Sequence, residues 1–118
     1  MEIVRFDAGL AEPIGERPYE VRHASAVELA EGGGEAHAYF VHFEPGGEIS
    51  AHEAGFGQLF VALSGSGWVA GGGGDRVPLS EGEAAFIRRG EVHSKGSDSG
   101  LTALMLQVRD LALTRRFT

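Results

Sequence analysis

Residues 46–65 read GGEISAHEAGFGQLFVALSG. A glycine turn leads into a short extended run that carries His52. A second glycine-bounded loop, AGFG, follows, and then a strand former, QLFVAL, that opens with Gln58. The run LFVAL is apolar on both faces, as a strand covered on both sides must be. One imidazole and one carboxamide flank a glycine loop, and a second candidate imidazole, His93, lies far along the chain.

The same rhythm holds outward from this stretch. Glycine is the outlying residue type, 19 of 118, and it marks turns at intervals. Between the turns lie AYFVHF (38–43), WVA (68–70), RVPL (76–79), AAFI (84–87), VHS (92–94) and LTALMLQV (101–108). Short strands spaced by turn signals predict an all-β sandwich or barrel. GGGGD (71–75) reads as a hairpin loop and SGSG (64–67) as another tight reversal. If 48–54 and 58–63 pair as antiparallel neighbours, His52 and Gln58 meet at one end. Helical spacing is readable only in the last ten residues. The whole chain, 1–118, reads as one domain with its motif-bearing barrel at about 37–109. The N-terminal EIVRF supplies a strand that covers the barrel or a partner subunit.

Composition excludes several classes. A chain of this length buries roughly 65% of its unfolded surface, so a core forms without staples. Cysteine is absent, which removes disulfides, thiolate catalysis and Cys-ligated zinc. The net charge is -7, which argues against nucleic acid and anionic membranes as partners. No secretory leader or long apolar span is readable, so the cytoplasm is the expected location. A small-molecule ligand and a second copy of the chain are the expected partners. The homodimer follows from the apolar outer face that a strand like LFVAL leaves.

Two spacings carry more. Gly46, five residues, His52-Glu53-Ala54, three residues, Gln58, six residues, Gly65 is one. Gly82, five residues, Arg88-Arg89-Gly90, two residues, His93, three residues, Ser97 is the other. These resemble the two motifs of the cupin superfamily. The resemblance covers roughly 40 to 108. It implies a small antiparallel β-barrel, a double-stranded β-helix or jelly roll. It also implies a site for one divalent ion (zinc, iron, nickel, manganese or copper) and no organic cofactor. Carried over by position, the family's four ligands fall on His52, Ala54, Gln58 and His93. Ala54 has no donor atom, so the ligand set reduces to His52, Gln58 and His93, with Gln58 offering a neutral carbonyl oxygen. The motif proline stands as Arg88 and the motif asparagine as Ser97.

Three neutral ligands leave a divalent ion its full charge, which favours an anion in the remaining positions. His42, Phe56, Phe60 and Arg88 are candidate pocket residues. The face on which His42 lies is not decided by the pattern, because both faces of AYFVHF are apolar. His23 and His37 read as surface residues, and Trp68 and Met105 as core or pocket wall. The leading function is a small-molecule-binding barrel with a reduced metal site. The alternative is a metal-dependent enzyme of dioxygenase, isomerase or decarboxylase type, acting on a small anionic substrate. Metal-free acid–base catalysis by His52 or His93 is a third reading.

Overall fold

In the computed structural model residues 1–114 are described, and they are almost entirely β-structure. The strands are β1 (Glu2–Arg5), β2 (Glu12–Pro13), β3 (Ser25–Ala26), β4 (Ala30–Phe43), β5 (Gly47–Glu53) and β6 (Gly57–Gly71). They continue with β7 (Arg76–Ser80), β8 (Glu83–Ile87), β9 (Val92–Ser97) and β10 (Leu101–Leu113). The first sheet runs β1-β8-β6-β10-β4, all antiparallel. The second is formed by β5, β9, the C-terminal half of β6, and β7. Together they make a jelly roll whose hydrogen-bonded path stays open. No helix among the described residues is long and apolar enough to cross a membrane.

The four motif glycines explain the motif spacing. Gly46, Gly65, Gly82 and Gly90 all have φ between 85° and 87°, where a Cβ is unfavourable. Three of them turn the chain between strands, and Gly65 has a different role. Strand β6 pairs with β8 and β10 up to Gly65, and with β7 and β9 from Ser66 onward. SGSG is therefore the place where one continuous strand crosses from one sheet to the other. The expected reversal is corrected on this point. A Cβ on Gly65 would run into the Gly100 carbonyl oxygen. Gly65→Ala is expected to lower stability by about 2 kcal/mol, from left-handed strain plus the clash, read as a shift in urea midpoint at unchanged slope.

Two further expectations are corrected. Strand β5 pairs with β9, and no β5–β6 ladder brings His52 to Gln58. Residues 109–113 continue strand β10 against β4 rather than turning helical. The rest of that stretch, 115–118, lies outside the described residues.

The core has two parts, one on each side of the first sheet. Phe43, Phe60, Ala62, Val69, Leu79, Ile87, Leu101 and Ala103 fill the space between the sheets. Val4, Leu59, Ala84 and Phe86 form the outer cluster, joined by Phe6, Leu29 and Leu106. Period-2 alternation sorts β6 between them, with Phe60 and Ala62 facing in and Leu59 and Val61 facing out. Strand β1 extends the sheet beside β8 and adds Val4 to the outer cluster.

Candidate functional site

His52 and His93 are register partners on β5 and β9. Their ring centroids stand 4.5 Å apart, tilted by 55°. His52 is exposed, whereas His93 is fully buried. The pair therefore runs from the surface into the space between the sheets. His52 Nδ1 donates to the Ser50 carbonyl at 2.8 Å, which fixes the tautomer and leaves Nε2 bare. Neither ring nitrogen of His93 has a hydrogen-bond partner among the described residues. Burial, then the nearby charges of Lys95 and His52, push its pKa from 6.5 down to about 4. At pH 7 His93 is a neutral imidazole with one donor and one acceptor, both unused.

Gln58 reaches the same interior from the other sheet and is buried. Its Oε1 accepts a hydrogen bond from Lys95 Nζ at 2.5 Å. Lys95 lies on β9 two residues after His93, so both side chains take the same face of the strand. It is 1% exposed. Its ammonium stands 4.9 Å from the Phe60 ring centre and 4.0 Å from Met105 Sδ. No carboxylate among the described residues pairs with it. Burial lowers its pKa from 10.5 to about 8. Lys95 is the buried charged residue that the sequence reading passed over. The signal was present in VHSKGS (92–97), where alternation carries the face of His93 on to Lys95.

The remaining candidates separate. Ala54, at the position of the third family ligand, is buried in the apolar core. Phe60 is fully buried and edge-on to Phe43. His42 is exposed and shares a hydrogen bond with Thr102 Oγ1 at 3.1 Å, on the outer face of the first sheet. Arg88 bonds Glu2 at 2.7 Å and lies over Phe86, so it holds β1 to β8 and takes no part in the interior. Phe56 stacks on His37 at 6.1 Å, Tyr39 stacks on His37 at 6.4 Å, and Arg109 lies over the Phe56 ring. His37 also pairs with Glu35 at 2.6 Å; it is exposed, as expected, and joins Tyr39 and Phe56 in a surface aromatic cluster. Ser97, in place of the motif asparagine, donates to the Ser66 carbonyl and accepts from Gly100 N–H. It ties the turn to β6.

Away from this interior, Trp68, Arg76, Ser66 and Asp98 line a groove of about 230 Å³ on the second sheet. Arg76 stacks on Trp68 at 3.9 Å.

The donor set does not suit a divalent ion. No group of three or more His, Asp or Glu side chains converges among the described residues. The Gln58 oxygen is already engaged by an ammonium. A dication 4 Å from that ammonium would meet a repulsion of about 8 kcal/mol at an effective dielectric of ~20.

A cupin-domain family model matches residues 39–108, more than half of the chain. The chain belongs to the cupin family. No curated protein matches it. Among solved structures it is similar to a cupin superfamily protein from Desulfitobacterium hafniense, at 13% identity and a TM-score of 0.59, over 80% of this chain and 94% of that one. It is also similar to the DMSP lyase DddQ of Ruegeria pomeroyi, at 22% identity and 0.56, over 76% of this chain and 45% of that one. A predicted oxalate decarboxylase from Thermotoga maritima matches at 23% identity and 0.53, over 60% and 64%. At these identities the likeness is one of fold.

Proposed function

We propose that the chain is a small-molecule-binding cupin barrel whose ligand meets the His52–His93 pair. One observation carries this reading. A fully buried imidazole with two unpartnered nitrogens sits 4.5 Å from an exposed one. Buried polar atoms are ordinarily hydrogen-bonded, and a few convergent polar groups against apolar walls are the usual form of a ligand site. The metal-dependent alternative draws on the family but lacks the carboxylate that balances an ion's charge in an interior. The test is to follow the His52 and His93 ring signals by NMR while a library of small organic compounds is added. The expected result is at least one compound that moves both signals together. Binders that leave both untouched and instead perturb the Trp68 indole signal would overturn the reading.

A second copy of the chain is the partner we propose. One row across the outer face of the first sheet reads Phe40, Leu104, Val61, Ala84, Val4. Val4 and Ala84 are buried, but Phe40 is 69% exposed, and Leu63 on the same sheet is also exposed. Exposed Phe40 and its half-buried neighbours Leu104 and Val61 make an apolar strip of the kind that marks an interface. Phe40→Glu is expected to convert a dimer into a monomer by light scattering at micromolar concentration. A wild type that is already monomeric there would contradict the proposal.

A further inference from the structure

We infer that the Lys95 ammonium is a resident cation standing where other cupins place a metal ion, and that the ligand of the His52–His93 site is a small organic monoanion, a carboxylate. The inference rests on the binding-module reading above and names the ligand class of the same site.

The Lys95 ammonium has an unmet need. An ammonium has three N–H donors. Lys95 directs one to Gln58 Oε1, and its other neighbours are a thioether sulfur and a phenyl ring. A buried charge without a counter-ion costs several kcal/mol. The partner it lacks is an anion with oxygen acceptors. His93 supplies the second half. It precedes Lys95 by two residues on one face of β9, about 6.6 Å along the strand. Both of its nitrogens are bare. One carboxylate accepts from Lys95 at one oxygen and from His93 N–H at the other, with bonds of about 2.8 Å.

The charge count sets the class further. One ammonium and one neutral imidazole balance a single negative charge, so a monocarboxylate fits better than a phosphate dianion. Phe60, Ile87 and Met105 belong to the apolar core beside this group, so the organic body of the ligand would have to pack against apolar side chains. Entry is past the exposed His52 ring, the one member of the group that faces solvent. Lys95 also explains the ligand substitutions. With a fixed positive charge at Gln58, the neutral amide and the bare alanine at 54 lose their metal-binding counterparts without leaving the interior uncharged.

The experiment compares acetate, pyruvate and benzoate with acetamide and benzamide at pH 7, by calorimetry and by the His93 ring signals. The expected result is that at least one carboxylate binds, that its amide binds at least tenfold more weakly, and that Lys95→Met weakens the carboxylate at least tenfold. Lys95→Gln serves as a second variant, and cooperative unfolding shows that each is folded. Amides that bind as well as carboxylates would sink the anion assignment while leaving the binding module standing. Binding of neither class would sink both. In a parallel arm, the wild type is expected to take up no zinc or manganese, and Lys95→Met/Gln58→Glu to take up one ion per chain. Stoichiometric uptake by the wild type would overturn the resident-cation assignment.

Discussion

Replacing Lys95 and Gln58 together by apolar residues, Lys95→Met/Gln58→Leu, is expected to raise stability at pH 7 by about 3 kcal/mol. The size follows from the drop in the Lys95 pKa from 10.5 to about 8, at 1.36 kcal/mol for each factor of ten in proton affinity. The folded state holds the lysine proton less tightly than the unfolded chain. The penalty is therefore complete below pH 8 and fades as pH rises to 10.5. The double variant's advantage should fade over the same window. Lys95→Met alone leaves Gln58 buried without its donor, at about 1–2 kcal/mol, so a net gain of about 1–2 kcal/mol is expected. Urea unfolding from pH 6 to pH 11 measures all three. A single variant that loses stability at every pH would show that the ammonium is well compensated.

The second large effect is at acid pH. His93 has its pKa lowered from 6.5 to about 4. The sign is that of a base kept neutral by burial. Charging it costs the fold about 3 kcal/mol in full below pH 4, and nothing above pH 6.5. Wild-type stability should climb between pH 4 and pH 6.5, and His93→Leu should flatten that part of the profile. The carboxylates titrate in the lower half of the window, so the difference between the two proteins is the measured quantity. Lys95→Met removes one of the positive charges acting on His93, and the imidazole should then titrate closer to 6.5. Direct titration of the His93 ring by NMR reads this. A His93 pKa near 6.5 in the wild type would mean that its nitrogens are solvated.

The parts of this fold that were legible in the sequence are those set locally. Glycines with left-handed backbone punctuate the strands, and their spacing together with His52, Gln58 and His93 carries the family resemblance before any contact is known. The GGGGD hairpin closes as read, with Gly74 N–H donating to the Gly71 carbonyl. Non-local pairing was not legible. His52 was expected beside Gln58 through its own loop, yet its ladder partner is His93, forty-one residues on. SGSG looks like a turn because small polar residues usually make turns. Here they let β6 pass between sheets, with Gly67 tight against the Gly96 carbonyl.

Side-chain placement failed where alternation gives no vote. Both faces of β4 are apolar, so nothing in AYFVHF placed His42 outside. Lysine is almost always solvated, and that prior hid Lys95, although its position two after His93 placed it inside. His37 was read as a surface residue and is one, but its ring contacts were not legible. Its aromatic neighbours come from β4 itself and from the loop after β5. Only at Lys95 did the tertiary neighbours overrule the residue type, since His37 and His42 both stay exposed.

On the proposal above, a lysine and not a metal ion provides the positive charge inside this barrel. The most direct test of that proposal is the metal content per chain of untagged protein never exposed to nickel resin, measured by mass spectrometry beside His52→Ala/His93→Ala. Far less than one ion per chain is expected in both, before and after incubation with zinc, manganese, iron, nickel or copper. Near-stoichiometric metal in the wild type, lost in the double variant, would contradict it.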